Sequence, residues 1–152
     1  MNLEIERKFR ATHIPAEALQ QATDSLPILQ GYLCTSEGAE VRIRKKGDKA
    51  FLTVKKGKGI RRQEMEILIT EEQFESLWPA TLGQRVEKVR HELPVNDRLT
   101  AEVDVFAGEN EGLLLVEIEF PDEEIAHAFK APDWFGIDVT SDAACKNASL
   151  AK

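Results

Sequence analysis

Residues 3–10, Leu-Glu-Ile-Glu-Arg-Lys-Phe-Arg, decide the fold class because apolar and charged side chains alternate along them. A period of two is typical of a β-strand, since successive side chains point to opposite faces of a sheet. One face of this strand carries Leu3, Ile5 and Phe9, and the other carries Glu4, Glu6, Lys8 and Arg10. The stretch therefore predicts a strand with one apolar face and one charged face.

Similar stretches recur along the chain. Further strands are predicted over 28–35, 41–46, 50–55, 62–69, 85–92, 99–106 and 113–120, with turn residues between them. Gly31 is expected to mark a β-bulge. Helices are predicted over 15–22, from a Thr70 and Gln73 capping box through Trp78, over 126–130, and after a Thr140 or Ser141 cap. About eight antiparallel strands with a few short helices predict an α+β domain, and eight is a number at which a sheet closes into a barrel.

Length and composition exclude several classes of protein. The 152 residues, of which 42% are hydrophobic, predict a single domain over residues 1–152. The net charge of −7 argues against a nucleic-acid-binding surface. Cys34 and Cys145 are too few for a disulfide scaffold, which favours a cytoplasmic location. The sequence shows neither a signal-peptide core nor an apolar run of membrane-spanning length, so we expect no membrane partner.

The polar faces of the predicted strands carry formal charges rather than neutral polar groups. Acidic pairs two residues apart occur at 4 and 6, 64 and 66, 102 and 104, and 117 and 119, and basic pairs occur at 42 and 44 and at 88 and 90. One interpretation is a solvated sheet surface laced with ion pairs, which composition alone favours. The other is a cavity in which paired carboxylates bind a divalent cation and paired cations bind phosphate oxygens.

Other common site patterns are missing from the sequence. His13, His91 and His127 are scattered and have no cysteine partners, which argues against a zinc site. No glycine-rich phosphate loop ends in Lys-Ser or Lys-Thr, and no serine lies in a nucleophile-elbow context. The charged strand faces are therefore the candidate site.

A series of motifs in order covers nearly the whole chain. It runs through Glu4-Ile5-Glu6-Arg7-Lys8-Phe9, Gln30-Gly31-Tyr32-Leu33, Val41-Arg42-Ile43-Arg44, Leu52-Thr53-Val54-Lys55, Arg62-Gln63-Glu64-Met65-Glu66, Lys88-Val89-Arg90, Asp104-Val105-Phe106-Ala107-Gly108, Val116-Glu117-Ile118-Glu119-Phe120 and Trp134-Phe135-Gly136. The series resembles the CYTH, or triphosphate tunnel metalloenzyme, superfamily, and is most similar to its short bacterial inorganic tripolyphosphatases. The resemblance implies an eight-stranded antiparallel tunnel with inward-facing charges, which reverses the preference for a solvated surface.

The resemblance also implies roles for individual residues. Metal ligands for Mg²⁺ or Mn²⁺ would be Glu4, Glu6, Glu117 and Glu119, with Glu119 preferred of the last two. Phosphate ligands would be Lys8, Arg42, Arg44, Lys55, Arg62, Lys88 and Arg90. The catalytic set would be Lys8, Tyr32, Glu64, Glu66 and Asp104, in which the acids hold a second metal or position water and Lys8 and Tyr32 handle a proton. A tyrosine packed into the tunnel wall is the alternative for Tyr32.

The activity implied is metal-dependent hydrolysis of inorganic tripolyphosphate to diphosphate and phosphate, with a homodimer as a further expectation. The alternatives are a nucleotide or thiamine triphosphatase, an adenylate cyclase-like enzyme, and a non-catalytic module that binds polyphosphate or nucleotide. Ala144-Cys145 departs from the Arg-Tyr pair that the resemblance leads us to expect in the closing helix. This departure weakens the expected contribution of that helix to substrate binding.

Overall fold

Eight antiparallel strands close into a barrel in the computed structural model, which describes residues 2–152. The strands are β1 (Asn2–Ala11), β2 (Asp24–Ser36), β3 (Ala39–Lys46), β4 (Lys49–Lys56), β5 (Arg61–Ile69), β6 (Arg85–Pro94), β7 (Thr100–Phe106) and β8 (Leu114–Glu119). They are ordered β5-β4-β3-β2-β6-β7-β8-β1, and pairing of β1 with β5 closes the ring. A short ninth strand, β9 (Ile137–Asp138), adds to β1. The predicted closed α+β barrel is confirmed.

Strand β1 closes the barrel by dividing its length between two neighbours. Residues 2–5 pair with β5, and residues 6–11 pair with β8. The register sets Glu6 opposite Glu119 and Lys8 opposite Glu117. Since directly opposite residues point to the same side of the sheet, these four charges all face the barrel interior.

The helices are short and lie outside or at one end of the barrel. They are α1 (Ala16–Gln20), α2 (Glu71–Leu77), α3 (Glu123–Ala128) and α4 (Asn147–Leu150). The predicted capping box is confirmed, because Gln73 N donates to Thr70 Oγ1 at 3.1 Å and Thr70 N donates to Gln73 Oε1 at 2.9 Å. Among residues 2–152, none of the helices has the length and apolarity needed to span a membrane.

Two local predictions are wrong and a third is displaced. Helix α3 contains 126–128 of the predicted 126–130 but runs from Glu123 to Ala128, because the Asp122 carboxylate accepts from Ile125 N and caps the helix at an earlier position. Neither Thr140 nor Ser141 caps the last helix: Thr140 Oγ1 accepts from the backbone of β1, and a 3₁₀ turn capped by Asp142 precedes α4. The bulge lies between Tyr32 and Cys34, not at Gly31.

Apolar side chains pack on the outer faces of the strands and at one end of the interior. The largest cluster lies between β1, β7, β8 and the surrounding helices and includes Phe9, Val103, Ile118 and Phe135. A second group, the apolar end cluster, consists of Tyr32, Val86, Phe106, Leu115, Val139 and Cys145. Because Phe106 and Leu115 share their strand faces with Asp104 and Glu117, this cluster fills one end of the barrel interior. The charged residues therefore occupy the rest of the barrel interior.

Gly136 is expected to be essential for stability. Its φ is +81°, and a Cβ there would lie 2.1 Å from the carbonyl oxygen of Arg10. Gly136→Ala combines backbone strain with a clash, so we expect a loss of about 3 kcal/mol or more in the free energy of unfolding. Chemical denaturation measures it.

The matched control is Gly83→Ala, at φ +80° with open space around the added carbon. This control should lose only about 1 kcal/mol, the cost of the backbone conformation alone. Equal losses in the two variants would show that the close approach to β1 is not what requires Gly136.

Candidate active site

The charged strand faces surround a cavity of about 220 Å³ inside the barrel. Its walls consist of Glu4, Glu6, Lys8, Glu40, Arg42, Arg44, Lys46, Phe51, Lys55, Arg62, Glu64, Glu66, Lys88, Arg90, Glu102, Glu117, Glu119, Lys146 and Asn147. Every residue that the sequence analysis assigned to metal or phosphate binding is in this set. Of the predicted catalytic residues, Tyr32 and Asp104 are not.

Three carboxylates form a cluster within the cavity. One oxygen from each of Glu4, Glu6 and Glu119 lies within 4.8 Å of the others. The strand period places Glu4 and Glu6 on one face of β1, and the β1–β8 register places Glu119 opposite Glu6. We refer to these three residues as the carboxylate cluster.

Desolvation, together with repulsion between the carboxylates of the cluster, raises the pKa values of two of them. Burial, with Glu117 nearby, raises the pKa of Glu6 to about 7. Glu119 is exposed at the edge of the cavity, but partial desolvation raises its pKa to about 8, with Glu4 as the largest contributor among the neighbouring acids. A divalent cation would relieve this repulsion, and an all-oxygen set suits a hard cation such as Mg²⁺ or Mn²⁺. The residues present therefore fit a metal site.

Glu117 has a different environment from Glu119, although the two share one face of β8. Its carboxylate lies 3.5 Å from Lys8 Nζ and 3.6 Å from Arg90 Nη2. Burial alone would raise its pKa, but Lys8 and Arg90 outweigh burial and hold the pKa well below its usual range. Glu117 is thus already neutralised by protein cations and lies outside the carboxylate cluster, so Glu119 is the better ligand candidate of the pair.

Arg42 and Arg44 are cations without an ion-pair partner, of which Arg42 is buried and Arg44 is half-buried. Neither forms an ion pair of 4.0 Å or less within residues 2–152, and Arg42 Nε has no hydrogen-bond partner there. Arg44 Nε donates only to the neutral Gln30 side chain, at 3.2 Å. Burial, together with Arg42 and Arg90, lowers the pKa of Arg44 to about 10. Buried unpaired charge is costly, and guanidinium groups bind phosphate oxygens in fork-like pairs. These two residues are consequently the strongest anion-binding candidates.

Most of the other cavity cations pair with protein carboxylates. Lys55 Nζ lies 2.9 Å from Glu4 and 3.3 Å from Glu64. Arg62 lies 3.5 Å from Glu40, a looser pair. Such pairing fixes the side chains in position and leaves some of their hydrogen-bond donors available to a ligand.

Asp104 lies beneath the cavity wall, where its carboxylate contacts other protein side chains. It is completely buried, and its carboxylate accepts from Lys88 Nζ at 2.6 Å and from Arg90 Nε and Nη2 at 2.7 and 2.8 Å. Burial would raise its pKa, but Arg90 and Lys88 outweigh burial and lower it. The predicted role in holding a second metal or positioning water is therefore not supported, since the carboxylate does not reach the cavity.

Asp104→Asn is expected to lower the free energy of unfolding by about 3–5 kcal/mol, because it leaves two buried cations without their shared counterion. Chemical denaturation of the parent and the variant measures the loss. If Asp104 instead acted directly on the reaction, the variant would keep the parent's stability and lose only turnover, which would contradict the structural assignment.

Tyr32 likewise lies outside the cavity. It is completely buried, and its hydroxyl accepts from Gln30 Nε2 at 2.8 Å. Lys8 Nζ donates to the Cys145 carbonyl at 3.2 Å and pairs with Glu117. Among residues 2–152 no hydrogen bond joins Lys8 to Tyr32, so the proton-handling pair stays a prediction; the buried position of Tyr32 favours the alternative of a tyrosine packed into the wall.

Several cavity residues were not assigned from the sequence. Glu40, Lys46 and Glu102 share strand faces with assigned residues, so the same period of two was an available signal. Lys146 and Asn147 come from the C-terminal segment, and Asn147 Oδ1 accepts from Lys88 Nζ at 3.0 Å. The C-terminal segment thus reaches the cavity despite the Ala144-Cys145 departure.

Comparison with known proteins points to one family. The CYTH domain model matches residues 2–137. An inorganic triphosphatase of Nitrosomonas europaea is 47% identical over 149 residues, covering 97% of this chain and 96% of the relative. An inorganic triphosphatase of Acetivibrio thermocellus is 39% identical, covering 100% and 95%. A crystal structure of an inorganic triphosphatase superposes with a TM-score of 0.72 at 45% identity, covering 99% of this chain and 95% of that one.

Proposed function

Because this chain belongs to the CYTH domain family, we propose that it is a metal-dependent inorganic triphosphatase that hydrolyses tripolyphosphate to diphosphate and phosphate. Two near full-length relatives with that activity in their names support the reaction. The observation that carries the proposal is that two arginines without ion-pair partners, the buried Arg42 and the half-buried Arg44, share one cavity with the carboxylate cluster. A triphosphate with its metal supplies the charges that both groups lack.

The cations of the cavity bind and orient the phosphate chain. Arg42 and Arg44 donate to its oxygens, and Lys8, Lys55, Arg62, Lys88 and Arg90 complete the positive wall. In phosphoryl transfer most of the catalytic effect comes from positioning and from stabilising charge on the transferring group. Donors fixed before the substrate arrives perform this task without reorganisation.

The carboxylate cluster is the proposed metal site, with Mg²⁺ or Mn²⁺ as the proposed ion. A bound divalent cation would supply positive charge to the phosphate oxygens and acidify nearby water. Glu64 and Glu66 are the proposed acids for orienting the attacking water, and both line the cavity. Thr53 Oγ1 donates to Glu66 at 2.7 Å, which fixes the direction of that carboxylate.

The composition of the walls favours an inorganic substrate over an organic triphosphate. Phe51 is the only aromatic residue lining the cavity among residues 2–152, and the remaining lining side chains are charged or amide groups. A nucleobase or thiazole ring needs apolar and aromatic surface for binding. The cavity has little such surface, so the proposed substrate consists of phosphate groups alone, without an organic group.

Phosphate release tests this function directly. Tripolyphosphate, ATP and thiamine triphosphate are each supplied with Mg²⁺, Mn²⁺ or EDTA, and the expected result is fast release from tripolyphosphate that EDTA abolishes. Comparable rates with ATP or thiamine triphosphate would favour an organic triphosphatase. Tight tripolyphosphate binding without turnover would overturn the enzyme in favour of a binding module.

Location and assembly remain predictions. Cys34 and Cys145 are free thiols, which supports the proposed cytoplasmic location. Met65 and Ile67 are exposed on the outer face of β5, and an apolar patch of this kind supports the proposed homodimer. Light scattering in solution distinguishes a dimer from a monomer.

A further inference from the structure

Gln30 is a completely buried amide beneath the two unpaired arginines. On β2 it lies opposite Arg44 of β3, and Tyr32 lies opposite Arg42. Gln30 does not line the cavity in the part of the chain that the structure describes. Any influence on a substrate therefore passes through its neighbours.

The hydrogen bonds of Gln30 have a fixed direction. Arg44 Nε is an obligatory donor, so the group facing it at 3.2 Å must be the carbonyl oxygen of Gln30. The amide nitrogen then faces Tyr32 and donates to its hydroxyl at 2.8 Å. Tyr32, packed in the apolar end cluster, anchors Gln30, and Gln30 in turn anchors Arg44.

A comparison with Arg90 shows what the amide contributes. Arg90 is anchored by the carboxylates of Asp104 and Glu102, at 2.7 and 2.8 Å, which compensate its charge. Arg44 is half-buried and is anchored by a neutral group, so its direction is fixed while no carboxylate pairs with it. Only an uncompensated guanidinium exerts its full attraction on an incoming anion.

We propose that Gln30 is a positioning residue that directs Arg44 toward the phosphate chain without neutralising it. The inference rests on the proposed triphosphatase function and extends it to a residue outside the cavity. A carboxylate at position 30 would still accept from Arg44 and would take its second hydrogen bond from the Tyr32 hydroxyl as donor, but it would cancel the charge of Arg44, so the amide itself is the functional requirement.

The test compares Gln30→Glu with Gln63→Glu, the same chemical change at an exposed position on the outer face of β5. Hydrolysis of tripolyphosphate by the parent with Mg²⁺ is measured first, because a parent that does not turn it over refutes the proposed function rather than the role of Gln30. Given parent turnover, we expect Gln30→Glu to raise KM at least about tenfold, a factor that corresponds to about 1.4 kcal/mol. Its melting temperature should equal or exceed that of the parent, and Gln63→Glu should leave KM unchanged.

A second variant, Gln30→Leu, removes both hydrogen bonds without adding charge. We expect a raised KM together with a lowered melting temperature, because Arg44 and Tyr32 both lose a partner. An unchanged KM in Gln30→Glu would overturn the proposal. A lowered melting temperature with parent-like KM in both variants would also overturn it, since that result describes a purely structural residue.

Discussion

Glu119→Gln is expected to reduce tripolyphosphate turnover at least about 100-fold, since changes to groups that only support a metal ligand already cost 10–100-fold. The same variant should be as stable as the parent, or more stable, in metal-free buffer. Partial desolvation at the cavity edge and the neighbouring acids raise the pKa of Glu119 to about 8, so ionising this carboxyl in the folded protein is unfavourable. An amide of the same shape removes that cost together with the ligand charge.

The stability effect has a defined pH dependence. A carboxyl whose folded pKa is raised loses its stabilising contribution as pH rises from its ordinary value of 4.5 through about 8. In EDTA, the melting temperature of Glu119→Gln should therefore exceed that of the parent by more at pH 8.5 than at pH 5. Added Mg²⁺ should raise the melting temperature of the parent and not of the variant.

Glu124→Gln, on the surface helix α3, is the control and should behave as the parent. Retained metal-dependent turnover in Glu119→Gln would remove Glu119 from the metal site.

Arg42→Met is expected to lower kcat/KM for tripolyphosphate by about 10²–10³-fold, the usual cost of removing one fixed donor to a transition-state oxygen. The free energy of unfolding should be unchanged or increased. Arg42 is almost completely buried, has no ion pair of 4.0 Å or less within residues 2–152, and leaves Nε without a hydrogen bond. Replacement of an unpaired buried charge by an apolar side chain removes a cost of folding.

Arg85→Met provides the opposite control. Arg85 lies outside the cavity, where its guanidinium stacks 4.1 Å from the Trp78 ring and donates to the Trp78 carbonyl at 2.9 Å. This variant should lose about 1–3 kcal/mol of stability and retain turnover. Phosphate release and denaturant melts on both variants give the comparison. A large stability loss in Arg42→Met, with parent-like turnover of the folded fraction, would make Arg42 a structural residue.

The strands, and the residues that share a face of each strand, were predictable because both follow from a period of two in the sequence. Residues 3–10 illustrate this: the alternation predicted a strand with one charged face, and the barrel places Glu4, Glu6 and Lys8 inside. Closure was a weaker inference from periodicity, because alternation does not say which face is enclosed. The family resemblance supplied that information.

The depth of a residue along the barrel was not predictable from periodicity. Asp104 and Tyr32 lie near the end that apolar side chains fill, and Phe106 and Leu115 pack close to them. The period of two assigns a face and carries no information about distance along the barrel axis. For this reason both residues were expected in the cavity and were found beneath its wall.

The difference between Glu117 and Glu119 depends on strand register. Glu117 lies opposite Lys8, whereas Glu119 lies opposite Glu6. A shift of pairing would exchange these neighbours and with them the charge environments. Register between strands so distant in sequence has no local signal, so the residues alone identify the pair, and the preference for Glu119 came from the family resemblance.

The double pairing of β1 has a consequence for synthesis on the ribosome. Of the barrel strands, β1 is synthesised first, but its partner β8, whose Glu119 pairs with Glu6, is synthesised last of the eight. Long-range pairings of this kind form slowly, and unpaired strands exposed in the meantime are prone to misassociation. A nascent chain arrested before β8 would keep half of β1 unpaired and would lack Glu119 altogether. Metal binding should therefore appear only once nearly the whole chain has been released, and it would report completion of the barrel.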